Sequence, residues 1–341
     1  MSTPLQTSWP EISTPLQTSW PEMSTPLLQV DNLKKYFEVP GGYLHAVDDV
    51  SFSINRGETL GVVGESGCGK TTLGRVVLHL LDNTGGRITY NGEDVTDVDD
   101  AKLRELRGKM QIIFQDPYSS LNPRMTVAQT ISEAMLINSR LSSDQIKKRV
   151  LELMDTVGLA QRFVNAYPHE LDGGRRQRIG IARALSIEPE FIVCDEPVSA
   201  LDVSIQAQIL NLLIDIQAEM GIAYIFITHD LSVVKHISNN IIVMYLGQVV
   251  EKVASEELFS RQIHPYTKAL LSAVPVPIVD SNKERILLKG ELGSPINPKL
   301  GCRFAPRCDY AREECTVDEP EFREILPGHM VKCHFAEQFA G

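Results

Sequence analysis

An α/β fold, built on a mainly parallel sheet with helices on both faces, is what this sequence predicts. Three observations point to it. Short apolar runs lie at Leu60 to Val63, Phe191 to Cys194 and Ala223 to Ile227, the first ending in glycine and the second in carboxylates. Stretches with apolar residues at three- and four-residue spacing lie between such runs, and a glycine-rich loop joins the first run to a helix.

The elements follow in order. Met1 to Glu11 (MSTPLQTSWPE) recurs almost unchanged as Ile12 to Glu22, and Met23 to Leu27 begins a third copy. A duplication this short is no solenoid. Its Ser, Thr, Pro and Gln content cannot form a core, so residues 1–27 are expected to be a disordered tail, with Met23 an alternative start. Both tryptophans, Trp9 and Trp20, fall in it. Val50, Phe52 and Ile54 alternate with Ser51 and Ser53, which predicts a half-buried strand; Leu60 to Val63 predicts a second. A helix should start near Lys70, and strands should follow at Ile88 to Tyr90 and Met110 to Phe114. Val127 to Leu159 reads as a helical insert between two halves of the core. Beyond it come the Phe191 strand, an amphipathic helix carrying Ile205, Ile209, Leu212 and Ile216, and the Ala223 strand.

Composition narrows the function. The 341 residues suffice for one α/β core and a smaller appendage. Apolar runs such as Ile241 to Leu246 are far shorter than the roughly 20 residues that span a bilayer, so membrane contact should run through another protein. A formal net charge of −11 argues against nucleic acid or anionic lipid as a partner. No basic region followed by an apolar stretch opens the chain, which leads us to expect a cytoplasmic location and few disulfides among the six cysteines.

Gly64-Glu65-Ser66-Gly67-Cys68-Gly69-Lys70-Thr71 fits a phosphate-binding loop, in which backbone N–H groups close around phosphate oxygens at a helix N-terminus. Lys70 should reach the β and γ phosphates of ATP, Thr71 should hold Mg²⁺, and Thr72 completes the nucleotide-contacting run. The Phe191 strand ends in Asp195 and Glu196. Asp195 suits the Mg²⁺ shell, and Glu196 suits a base for the attacking water. Alone, an acidic pair at a strand end is commonly a turn. Gln115 could ligate Mg²⁺ or position water, and His229, in Thr228-His229-Asp230, could donate to the γ phosphate; each taken alone is more often structural.

The order of these motifs resembles the ABC ATPase family from about Leu28 to the C-terminus. Leu171-Asp172-Gly173-Gly174-Arg175-Arg176-Gln177-Arg178 is similar to the family's signature, and Ser199-Ala200-Leu201-Asp202 to its dimer-contact loop. The resemblance implies a P-loop core over residues 28–260 with an antiparallel β subdomain and a helical subdomain near 116–178, and two ATP sites, each shared between two chains. It also implies an aromatic stacked on adenine, best matched by Phe37, with Tyr36 or Tyr43 as alternatives. Asp116-Pro117-Tyr118-Ser119-Ser120-Leu121-Asn122-Pro123-Arg124, His264-Pro265-Tyr266-Thr267 and the cysteine-bearing tail resemble the oligopeptide and dipeptide importers more narrowly. In such importers two related ATPases serve two integral membrane permeases at the cytoplasmic face, fed by an extracytoplasmic solute-binding protein; related systems carry oligosaccharides or nickel. A soluble ABC ATPase outside transport is the different-class alternative.

Two features stand apart. The family's signature has serine and glutamine where this chain has Asp172 and Arg175, and a carboxylate there should repel the partner-bound γ phosphate, with Arg175 compensating in part. Near the C-terminus, within an expected domain at 261–341, Cys302, Cys308, Cys315 and Cys333 are separated by five, six and seventeen residues, unlike the paired spacing of common zinc ribbons. The resemblance implies that these four ligate a [4Fe-4S] cluster, with Zn²⁺ as the alternative.

Overall fold

The computed structural model describes residues 25–138, 141–274, 286–290 and 293–340, so most of the repeat tail lies outside it. Leu27, at the end of that repeat, is buried, and its carbonyl accepts the Asn91 N–H at 2.8 Å.

An antiparallel layer comes first. β1 (Leu28–Val39) pairs with β2 (Gly42–Ile54) and with β4 (Gly85–Tyr90), which in turn pairs with β5 (Glu93–Asp94). Val50, Phe52 and Ile54 all face a core that also takes Leu28, Val30 and Leu33 of β1. Register shifts interrupt β1 between Val30 and Tyr36, which breaks the period-two pattern and hides the strand from sequence reading.

The main layer holds the site. β3 (Thr59–Val63) leads through the glycine loop into α1 (Lys70–Val77), as expected. α2 (Asp100–Lys109) runs into β6 (Met110–Ile113); after the insert come β7 (Phe191–Asp195), α6 (Val203–Met220), β8 (Ala223–Ile227), α7 (Leu231–Ile237), β9 (Asn240–Tyr245) and β10 (Gln248–Ala254). β6, β7, β8, β3 and β9 lie side by side in that order and are parallel. Their near-uniform burial explains why they read as continuous apolar runs. α6 is present, but its buried face is Ile209, Leu210, Leu213 and Ile216; Ile205 and Leu212 are only half-buried. The helix is rotated by the demand of packing on both the sheet and the insert.

The insert comprises α3 (Val127–Asn138), α4 (Ser143–Thr156) and the approach to α5 (Gly173–Leu185). Ser142 starts α4 with a capping box closed by Gln145. Ile131, Val150, Leu153 and Ile179 tie the three helices into one core with β7 and β8.

The C-terminal segment does not fold apart from this sheet. β11 (Phe322–Leu326) and β12 (His329–Lys332) form a hairpin that pairs antiparallel with β10 and extends the main sheet. Its alternation is weak and its strands are short, so sequence reading missed it. α8 (Ser255–Ser260), α9 (Pro265–Ser272) and α10 (Glu313–Val317) pack around that edge. Among the described residues, no helix is long and apolar enough to cross a membrane.

Candidate functional site

Every strand that supplies a candidate residue ends on the same side of the sheet. The phosphate loop follows β3, Gln115 follows β6, Asp195 and Glu196 close β7, and His229 follows β8. Ligands of open parallel sheets bind at this carboxyl end, where helix N-termini point at them. The topology therefore gathers residues that lie up to 165 positions apart, from Gly64 to His229.

The loop is shaped by glycine. A Cβ on Gly64 would lie 2.2 Å from the Met244 carbonyl oxygen, and one on Gly69 would lie 1.9 Å from that of Ala46; both residues have positive φ, at 153° and 107°. No other residue fits these approaches. Ser66 and Gly67 are exposed, Cys68 is buried, and its thiol is pushed up by that burial. Lys70 is 5% exposed, and its Nζ donates to the carbonyls of Gly64 at 2.8 Å and Glu65 at 3.0 Å. Thr72 is half-buried on the first turn of α1.

Thr71 and Asp195 meet directly: Thr71 Oγ1 donates to Asp195 Oδ1 at 2.8 Å. Burial raises the Asp195 carboxyl above its usual range, against the pull of Thr71, Arg75 and Lys70. A divalent cation beside it would reverse that penalty, so this oxygen pair suits Mg²⁺. Glu196 takes a left-handed backbone, φ 47°, and its N–H donates to the Ile227 carbonyl at 2.9 Å. Its carboxylate, 15% exposed, accepts from Gln115 Nε2 at 2.8 Å on one oxygen and lies 3.2 Å from His229 Nδ1 on the other. Gln115 and His229 thus flank the Glu196 carboxylate, the first by a hydrogen bond and the second by charge proximity.

The remaining sequence candidates lie on other elements. Phe37 is half-buried on β1 with the Lys35 ammonium 5.0 Å from its ring, while Tyr36 is engaged by His45 and Asp48, and Tyr43 is exposed. Ser199 Oγ donates to the Glu196 carbonyl at 3.1 Å, and Asp202 caps α6 by accepting the Ile205 N–H at 3.0 Å. Asp172 caps α5 in the same manner, accepting the Arg175 N–H at 2.8 Å, and its other oxygen pairs with the Arg175 guanidinium at 2.8 Å. Gly173 and Gly174 open that helix, and a Cβ on Gly174 would strike Ile205 at 2.7 Å.

The four C-terminal cysteines do not form a ready-made metal site. Among the described residues, no group of three or more His, Cys, Asp or Glu side chains is arranged to hold a metal ion. Cys302, Cys308, Cys315 and Cys333 are free thiols; Zn²⁺ would need their sulfurs drawn about one point at roughly 2.3 Å. They are nevertheless neighbours. The Cys302 N–H donates to the Cys315 carbonyl at 2.8 Å, and burial pushes the Cys302 and Cys333 thiols up to about 11. Backbone amides of Phe304 and Ala305 lie against the Cys302 sulfur, that of Tyr310 against Cys308 and that of Phe335 against Cys333, each favouring thiolate.

Sequence reading missed the partners of Glu65. Its N–H donates to the Tyr266 hydroxyl at 2.9 Å, and its carboxylate is held by Arg307. With the partners 201 and 242 positions away, no local pattern signals them.

Comparison with known proteins agrees with this geometry. Residues 47–199 match the family described as ABC transporter, and residues 250–315 match the oligopeptide/dipeptide transporter C-terminal region. The oligopeptide transport ATP-binding protein AppF of Bacillus subtilis is 49% identical over 90% of this chain and 97% of its own length. The dipeptide transport ATP-binding protein DppF of Haemophilus influenzae is 48% identical over 90% and 96%. The dimeric post-hydrolysis structure of the ATP-binding cassette MJ0796 bound to ADP and Pi superposes with a TM-score of 0.62 at 29% identity, covering 67% of this chain and 98% of that one. The chain belongs to the ABC transporter family, among the ATP-binding proteins of its oligopeptide/dipeptide branch.

Proposed function

We propose that this chain hydrolyses ATP to drive import of dipeptides and oligopeptides, as one of a pair of ATPases seated on two membrane permeases at the cytoplasmic face. The observation that carries the chemistry is Glu196 flanked by Gln115 and His229, beside the Thr71–Asp195 pair at the mouth of the phosphate loop. The peptide solute rests on the relatives and on the C-terminal segment they share.

Each residue has a task that its surroundings support. Backbone N–H groups of the loop and the Lys70 ammonium bind the β and γ phosphates, with Lys70 exchanging its present carbonyl partners for phosphate oxygens. Phe37 stacks on adenine. Thr71 and Asp195, with Gln115, hold Mg²⁺, which supplies charge neutralisation on the phosphates when bound. Glu196, aimed by Gln115, takes the proton of the attacking water, and His229 donates to the γ phosphate and registers its loss. The second half of each site comes from the other chain of the pair; this chain's Asp172, Gly173, Gly174 and Arg175 stand in for the signature that completes the partner's site, and its Ser199 and Asp202 supply the dimer contact. A heterodimer leaves this chain's own Lys70, Asp195 and Glu196 to act against an unmodified partner signature.

Cys302, Cys308, Cys315 and Cys333 are proposed to hold a [4Fe-4S] cluster in a C-terminal domain over 261–341. What supports it is four neighbouring thiols with amides turned to three of them. The cluster would supply a cross-link to a segment with few apolar residues of its own.

Affinity purification from detergent-solubilised membranes tests the main reading. Co-purification of two polytopic permeases and a second ATPase, with ATP hydrolysis raised by peptide-loaded binding protein, is the expected outcome. Recovery of soluble partners alone would overturn it.

A further inference from the structure

Between Cys302 and Cys308 lie two arginines: Arg307 reaches the phosphate loop directly, and Arg303 reaches Asp48 and Leu246, which back it. Arg307 grips Glu65, the loop's second residue: Nη1 donates to Oε2 at 2.7 Å and Nη2 to Oε1 at 3.1 Å. The side chains are 9% and 28% exposed, so the pair is well shielded from water. Tyr266, fully buried, accepts the Glu65 N–H at 2.9 Å, and Lys70 donates to the Glu65 carbonyl at 3.0 Å. A single loop residue is therefore held by its carboxylate, its N–H and its carbonyl.

Arg303 secures the backing residues. Its guanidinium, 7% exposed, pairs with Asp48 and donates to the Leu246 carbonyl. Leu246 has φ 44°, a left-handed conformation that a non-glycine residue keeps only where neighbours fix it. The next residue, Gly247, donates its N–H to the Cys68 carbonyl at 2.9 Å and accepts the Asp48 N–H at 2.8 Å. Asp48 also accepts from Tyr36, beside Phe37 on the adenine side. Phe304 stands between the arginines and is buried against Tyr245 and Tyr266, with centroids 5.3 and 5.5 Å apart.

We propose that Arg307, Tyr266 and Arg303 are positioning residues of the nucleotide site, through which the Cys302–Cys308 loop holds the phosphate loop in its anion-binding shape before nucleotide arrives. A loop of N–H groups aimed at one point repels itself until an anion fills it. Unless its neighbours fix that shape, part of the binding energy of ATP must order it. These three side chains bond to Glu65, Asp48 and Leu246, so the contribution proposed for them is preorganisation. The inference concerns nucleotide binding and is independent of which solute the importer carries.

The test uses the full chain, Mg²⁺–ADP titration and hydrogen exchange over Glu65 to Thr72. Arg307→Gln should raise the ADP Kd about tenfold and speed exchange across the loop. The double variant Arg307→Gln with Glu65→Gln should recover part of the loss, because the unpaired carboxylate beside the phosphates is removed with it. Tyr266→Phe deletes one hydroxyl and keeps the ring, so it should fold even if Arg307→Gln does not, and should weaken ADP about threefold. Arg323→Gln breaks another bidentate pair of the C-terminal segment, to Glu337, and should change neither readout. Wild-type ADP affinity in Arg307→Gln and Tyr266→Phe would overturn the proposal. An equal loss in Arg323→Gln would overturn it too, reducing the contacts to general stability.

Discussion

Replacing Asp172 by serine and Arg175 by glutamine should speed hydrolysis at the site this signature completes and leave stability almost unchanged. Serine caps a helix as well as aspartate does, so the bond to the residue-175 N–H, 2.8 Å in the native chain, survives. The ion pair that is lost has side chains 58% and 44% exposed at i,i+3 spacing, worth about 0.3–0.5 kcal/mol. The thermal midpoint should therefore move by less than about 2 °C. The catalytic change is larger. A carboxylate about 4 Å from a γ phosphate costs about 4 kcal/mol at an effective dielectric near 20 and about 1 kcal/mol in water. Arg175, 2.8 Å from the carboxylate, cancels most of it, which leaves about 1 kcal/mol, a five- to tenfold gain in turnover. ATP hydrolysis by the purified membrane complex, run beside thermal unfolding of the isolated chain, measures both. Unchanged turnover with an unchanged midpoint would refute the argument, since it would place Asp172 away from any phosphate. Asp172→Ala is the control: it removes the cap and should cost about 1 kcal/mol of stability.

Other expectations concern single residues. Glu196→Gln should lower hydrolysis by about 10²–10⁴-fold while nucleotide still binds, because the amide keeps the Gln115 neighbourhood but takes no proton; comparable turnover would remove Glu196 as the base. Burial lowers the His264 pKa from 6.5 to about 4. Its native value lies below the unfolded one, so the stability it confers is full above pH 6.5 and is lost as pH falls to about 4, about 3 kcal/mol in all. Thermal midpoints across that window should fall less steeply in His264→Gln, and equal slopes would reject this. Glu251→Leu should destabilise by about 3–5 kcal/mol, measured by urea unfolding, because it leaves the buried His329 imidazole and the N–H groups of Ile263 and His264 without their acceptor; a cost under about 1 kcal/mol would show that the site relaxes around the loss.

The parallel strands and the nucleotide loop were legible because both depend on local pattern. Strands buried on two faces must be apolar throughout, and a loop that crowds backbone oxygens at 2.2 and 1.9 Å must carry glycine. Gln115 and His229 were ambiguous alone, since each is a single polar residue after a strand; only the order β6-β7-β8 brings them to the two oxygens of Glu196. β1 escaped because its register shifts break alternation, and the β11–β12 hairpin because β11 is half-buried on both faces and β12 is only four residues long. Arg307 and Tyr266 could not have been found at all, their partner being fixed by long-range packing.

One sheet carries both the nucleotide and the C-terminal segment, and this decides how load passes between them. β12 is bonded to β10, β10 to β9, and β9 to β3, whose end is the phosphate loop. At the junction Glu251, fully buried on β10, accepts the N–H groups of Ile263 and His264 at 2.8 and 3.1 Å and meets His329 of β12 at 2.7 Å. The hairpin cannot tilt away from the sheet without exposing this carboxylate to an unpaired, water-poor site, and that cost stiffens the connection. A force applied to the C-terminal segment is therefore borne by the strands under the nucleotide and, through Arg303 and Arg307, by the loop above it. A flexible tether would dissipate the same force in bending. Two routes, through Arg307 to Glu65 and through Arg303 to Leu246 and Asp48, tie the C-terminal segment to the phosphate loop and its backing residues.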